Sequence, residues 1–235
     1  MPTPIESMRI VARRLEPLNV PFAFLGGAVV CLLVDHPELT EIRPTKDVDV
    51  IVEVVTLSKF NALEERLREI GFKHDMSEGA PICRWIVDNC LVDVMSINSN
   101  THGMNAKWFP EAMELSQPVD LGQGCSAKII TAPLFLATKL EAFKDRGKND
   151  FYASHDMEDI ITLIDGCAAI IEEITPALNK IHMAVGDKFF QAVTVGFGCG
   201  KCSLPEAVKL DIAVQLFGVL PKIEPCEFGV DRRNS

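Results

Sequence analysis

The chain has 235 residues, of which 48% are hydrophobic and 24% charged, and a formal net charge of −10. That is enough for one or two domains with a real core. The acidic balance argues against a protein that grips long nucleic acid, since phosphate contacts need clustered Lys and Arg; it leaves room for a small phosphorylated substrate or a locally basic groove.

Residues 5–18 place Ile5, Met8, Val11, Ala12 and Leu15 at helical spacing. The N-terminus carries Glu6 and no long apolar stretch, so no signal peptide is visible, and no apolar run reaches membrane-spanning length. Several of the eight cysteines lie inside apolar runs and read as small buried hydrophobes. A reducing cytoplasm is the expected location. Phe22–Leu25 is the first expected strand. Gly26-Gly27 then turns the chain into a helix over roughly 28–35, stopped by Asp35-His36-Pro37. After a loop over 38–46, Asp47–Val54 is a second strand, and its apolar content makes it central. Leu57–Ile70 is a second helix, with Ser58 a candidate cap. Ile82–Val87 and Leu91–Ile97 form an expected hairpin, turned at Asp88-Asn89.

Asn98–Asn105, with His102, is polar loop, and Ala106–Met113 a short helix. Val119–Ile130 holds a turn at Gly122-Gln123-Gly124 followed by a strand. Thr131-Ala132-Pro133 opens a strong helix over Leu134–Asp145. Ser154–Ile164 and Cys167–Ala177 are further helices, 180–194 a weaker one, and Leu204–Phe217 another beyond a glycine-rich break. The expected class is α/β (α+β): a mixed-sheet domain over 1–132, then a helical domain over 133–235 with a short polar tail.

Asp47 and Asp49 share one strand face because the strand period is two. Asp93 is a lone charge between Val92 and Val94, costly there unless paired. If its strand lies beside the first, three carboxylates meet, a donor set suited to Mg²⁺, two ions of which clamp an in-line displacement at phosphorus. The plainer reading makes Asp47 a turn residue, Asp49 a strand-start cap and Asp93 a hairpin surface charge. The glycine turn upstream and Asp93 downstream shift the balance. A glycine pair between strand and helix lets backbone approach an anion closely, although many turns contain Gly-Gly. Cys199-x-x-Cys202 has metal or redox spacing, with Cys226 a third candidate and His182 a distant fourth. Reduced thiols are the simpler reading.

Gly26-Gly27 followed by Arg43, Thr45, Asp47 and Asp49, spaced Arg-x-Thr-x-Asp-x-Asp, resembles the nucleotidyltransferase superfamily typified by DNA polymerase beta. Within it the chain is most similar to the branch containing AbiEii-type abortive-infection toxins. Asp93 matches that branch's third acid. Lys139, Lys144 and Arg146, then Asp156 and Asp159, match its later helix and acidic pair. The likeness spans roughly 22–165. It departs where Gly27 stands for the superfamily's frequent Ser, where His155 stands for a basic residue, and in a longer polar link over Gly147–Ser154. The resemblance implies that Asp47, Asp49 and Asp93 are catalytic and hold two Mg²⁺ ions. It implies that Gly26, Gly27, Thr45, Lys139 and Arg146 contact a nucleoside triphosphate such as ATP. The implied reaction moves a nucleoside monophosphate to an acceptor: a tRNA end, a protein side chain or a small molecule. An antitoxin-like protein partner is a further implication. From the residues alone, Lys139 is also readable as a solvated lysine. Arg146 is readable as a partner of Asp150, and the Asp156/Asp159 pair as a holder of Lys139 or Arg146 or as simple helix caps. Competing functions are a non-catalytic nucleotide- or protein-binding module and a metal-dependent phosphohydrolase.

Overall fold

The structure is a computed structural model that describes residues 2–98, 106–146, 153–168 and 170. His102, the expected helices beyond residue 170, His182, the cysteines at 199, 202 and 226, and Asp150 lie outside the described residues.

Helix α1 (Pro4–Leu15) begins with a reciprocal cap. The Thr3 hydroxyl accepts from the Glu6 amide, and the Glu6 carboxylate accepts from the Thr3 amide. Strand β1 (Phe22–Leu25) runs into Gly26, and a 3-10 turn (Gly27–Val29) leads to the four-residue α2 (Val30–Leu33). The expected helix over 28–35 is thus a 3-10 turn followed by one short α-helical turn that stops at Leu33, where Val34 is already extended. Strand β2 spans Asp47–Val52 and helix α3 Leu57–Glu69. Its cap is Thr56, not Ser58: Thr56 has the extended backbone a capping residue needs, and its hydroxyl accepts from the Lys59 amide. Ser58 already lies inside the first turn.

Strands β3 (Lys73–His74), β4 (Arg84–Val87) and β5 (Cys90–Ser96) follow. Between β4 and β5, Asp88 (φ 45°) and Asn89 (φ 64°) both lie in the left-handed region that a two-residue hairpin turn requires. Helix α4 (Phe109–Glu114) precedes the hairpin β6 (Gln117–Asp120) and β7 (Ser126–Ile129). Helix α5 (Ala132–Arg146) and helix α6 (His155–Gly166), capped by the Ser154 hydroxyl, complete the described elements.

The seven strands form one mixed sheet in the order β3-β4-β5-β2-β1-β7-β6. The expected fold class holds: a mixed α/β sheet followed by helices. Strand β2 is the middle strand, antiparallel to β1 and parallel to β5. Its position explains the unbroken burial of Val50, Ile51 and Val52. A continuous core of buried apolar side chains extends from Met8 in α1 to Ile170. Helix α5 packs against α4 and α6 and buries ten of its fifteen residues, including Lys139 and Glu141. Helix α6 also packs on α2. There the Asp35 amide donates to the Gly166 carbonyl (2.8 Å), and the Ala168 amide to the Asp35 carboxylate (2.7 Å). No helix among the described residues is long and apolar enough to cross a membrane.

Candidate active site

The parallel pairing of β2 with β5 sets Asp49 directly opposite Asp93, ~4.8 Å being the usual spacing of neighbouring strands. Asp47 lies two residues earlier on the same face of β2. All three aspartates line a cavity of about 700 Å³, together with Gly27, Arg43, Thr45, Arg84, Lys139, Arg146, His155 and Asp156. Gly26, outside that lining, supports it from behind. Its φ of 74° with ψ of −165° is glycine backbone, and a Cβ there would lie 1.9 Å from Asp49 Oδ2. The glycine is needed for the aspartate to fit. The next residue is less constrained: a Cβ at Gly27 would meet Arg43 Nη2 at 3.1 Å and Asp159 Oδ2 at 3.3 Å. The helix that follows is too short to act as an anion site of its own.

The Thr45 hydroxyl donates to Asp47 Oδ1 (3.0 Å) and to the Asp47 carbonyl (3.2 Å), so this residue orients an acid as well as facing the cavity. Arg84 is the residue that sequence reasoning missed. It stands opposite Asp93 across the β4–β5 hairpin, its Nε donating to Asp93 Oδ1 and its Nη2 to Asp93 Oδ2, both at 2.8 Å. The same Nη2 donates to Asp47 Oδ2 at 2.5 Å. A signal for it existed. A two-residue turn at Asp88-Asn89 pairs Val87 with Cys90, and counting back pairs Arg84 with Asp93.

The helical side is a second charge network. Lys139 is only 8% exposed, so it is neither a solvated lysine nor free. Its Nζ lies 3.2 Å from Asp156 Oδ1 and 2.6 Å from Asp159 Oδ2. Arg146 forks onto Asp156, Nε to Oδ2 and Nη2 to Oδ1, each at 2.9 Å. Arg43 reaches Asp159 (3.2 Å) and passes 3.8 Å from exposed Glu158. Burial works to raise the Asp156 carboxyl. Its hydrogen bonds from Arg146 and the charge of Lys139 prevail and hold it below the ordinary carboxylate range. The same hydrogen bond, opposed by burial, raises Arg146.

Around the cavity, five aspartates meet four cationic side chains. Asp49 is the one without a hydrogen bond or ion pair among the described residues. Burial, then the charges of Asp47 and Asp93, push its carboxyl up from 3.8 to about 7. An acid so placed is one a cation would satisfy, and three carboxylates are a donor set suited to Mg²⁺. Their present arrangement serves Arg84 instead. Among the described residues, no group of three or more His, Cys, Asp or Glu side chains is placed to hold a metal ion.

No family model and no curated protein matches the chain. Among solved structures, it is similar to an antigenic nucleotidyltransferase-like protein from Paracoccidioides brasiliensis. There the identity is 18%, 77% of this chain and 93% of that one are covered, and the TM-score is 0.48. It is also similar to the antibiotic-resistance factor ANT(2'')-Ia, with 13% identity, the same coverages and a TM-score of 0.48. Both are distant likenesses.

Proposed function

We propose that the chain is a Mg²⁺-dependent nucleotidyltransferase that moves a nucleoside monophosphate from a nucleoside triphosphate to an acceptor hydroxyl. The observation that carries this reading is the meeting of Asp47, Asp49 and Asp93 on one sheet face, in a cavity that also takes Lys139 and Arg146 from α5. The resemblance carried by the Arg-x-Thr-x-Asp-x-Asp segment supports it. Asp47 and Asp49 are the ligands proposed for both ions, and Asp93 for one. When bound, Mg²⁺ neutralises charge on the phosphate oxygens and on the leaving pyrophosphate. Asp93 takes the proton of the attacking hydroxyl, whose oxygen bonds to the α-phosphorus as the bond to pyrophosphate breaks. Thr45 keeps Asp47 turned toward the cavity. Lys139 and Arg146, held in place by Asp156 and Asp159, offer phosphate fixed hydrogen-bond donors rather than mobile hands. Gly27 keeps that wall open to phosphate, and Gly26 keeps Asp49 in place. ATP as donor, a tRNA, protein or small-molecule acceptor, an antitoxin-like partner and a cytoplasmic location belong to the same proposal.

A second reading has one observation in its favour. Arg84 already pairs with both Asp47 and Asp93, which suits a nucleotide- or protein-binding module that needs no metal. The deciding experiment incubates the purified chain with Mg²⁺, a cell extract and each of the four nucleoside triphosphates labelled on the α-phosphate. The enzyme reading expects label on an acceptor and pyrophosphate in step with it. No transfer with any base supports the binding module, and release of free phosphate from γ-label alone supports a phosphohydrolase.

A further inference from the structure

We propose that Arg84 is a resident cation that competes with divalent metal for Asp47 and Asp93. In the metal-free chain it holds the acidic face together, and it leaves those oxygens when a metal ion binds. This inference rests on the nucleotidyltransferase reading and adds a regulation of the same site.

The geometry makes the two occupants exclusive. Both oxygens of Asp93 and one of Asp47 accept from a single guanidinium at 2.5–2.8 Å. A magnesium ion needs oxygens at about 2.1 Å in near-octahedral array and binds through carboxylates and water, with no place for a guanidinium nitrogen among its ligands. Arginine cannot vacate by losing its proton, because its charge is permanent in proteins. Hydrogen bonding to Asp93, against the cost of burial, raises its proton affinity further still. It has to swing away as a whole side chain.

The surroundings allow the swing. Arg84 is the first residue of β4, next to the loop that carries Pro81, and both line the cavity. Released, the guanidinium remains beside the same cavity, where a phosphate is the natural partner for its planar fork. The unmatched Asp49 stands on the other side of the pair, opposite Asp93, and supplies the third carboxylate that Arg84 does not touch. Two of the acids are therefore guarded and one is bare.

The exclusivity sets the sign of the test. If Arg84 competes, removing it tightens metal binding; if it only holds the acids in place for metal, removing it weakens binding. The probe is Mn²⁺, titrated into the full chain without nucleotide and followed by electron paramagnetic resonance. Arg84→Gln is expected to bind Mn²⁺ about tenfold to a hundredfold more tightly than wild type, the factor corresponding to loss of a charge-assisted clasp. Arg84→Lys, which keeps charge without the fork, is expected in between, and Asp49→Asn should abolish the site. Equal or weaker binding by a folded Arg84→Gln overturns the proposal and leaves the enzyme reading standing. Absence of binding in wild type and variants alike overturns both. Should Arg84→Gln not fold, the wild-type chain answers. The Arg84 Nε–H resonance, identified by its loss in Arg84→Lys, is expected to lose its protection from solvent exchange as Mg²⁺ saturates. Retained protection in the saturated protein overturns the proposal.

Discussion

Replacing Asp49 by Asn should make the metal-free protein more stable, by an amount that depends on pH. The Asp49 carboxyl is pushed up from 3.8 to about 7 by burial and by the neighbouring charges of Asp47 and Asp93. A carboxyl whose folded pKa is raised contributes full stability below its unfolded pKa and loses it as pH climbs through the folded value. Below about pH 4, Asp49 is neutral in both states, and Asn and Asp should be equivalent. Between about pH 4 and 7 the unfolded chain ionises while the folded chain retains its proton, and the advantage of Asn grows. Above pH 7 it levels off at a ceiling of about 4 kcal/mol, because a tenfold change in proton affinity between the two states is worth ~1.4 kcal/mol. For a chain of this length that corresponds to roughly 10 °C in melting temperature. The assay is urea or thermal unfolding in a chelator at pH 5, 6, 7 and 8, comparing wild type with Asp49→Asn. An Asn variant that is no more stable at pH 8, or an advantage that does not change with pH, refutes the picture of an uncompensated carboxylate.

Lys139→Ala should lower stability by about 1.5–3 kcal/mol, because it removes the nearer of the two cations on Asp159 and one of the two on Asp156, leaving Arg43 and Arg146 in place. Adding Asp159→Asn should restore part of the loss in a double-mutant cycle of unfolding free energies. Gly26→Ala should cost ~1–3 kcal/mol from backbone strain alone. It should also displace the Asp49 carboxylate, whose oxygen lies 1.9 Å from the added carbon, so Mn²⁺ affinity should fall more than stability does.

What was legible in the sequence is what local rules govern. The Asp88-Asn89 turn announced itself because those residue types tolerate the left-handed backbone a two-residue hairpin imposes. Strand β2 was legible as central because its run of Val and Ile is buried on both faces. The shared face of Asp47 and Asp49 follows from strand period alone. The adjacency of Asp93 depended on a parallel pairing that no local pattern announces; it required the β2–β5 ladder. Lys139 reads as an ordinary helix lysine because its two partners lie 17 and 20 positions later, on a helix whose docking only the tertiary structure defines. Thr56 and Ser58 are hard to tell apart as caps since helix starts slide by a residue or two when both candidates are hydroxylic. Arg84 escapes notice for a different reason. A single basic residue at the start of a strand has no periodic signature, and only the register of its hairpin reveals whom it faces.

Arg43 ties the segment that leads into the acidic strand directly to α6. It sits two residues before Thr45 and four before Asp47, and it grips Asp159 on α6. If α6 moves outward to admit a bulkier guest, it pulls on the segment that aims Asp47. The width of the cavity and the aim of its acids are thus one mechanical variable. A molecule that wedged the rim apart would therefore also turn the acidic face it meets.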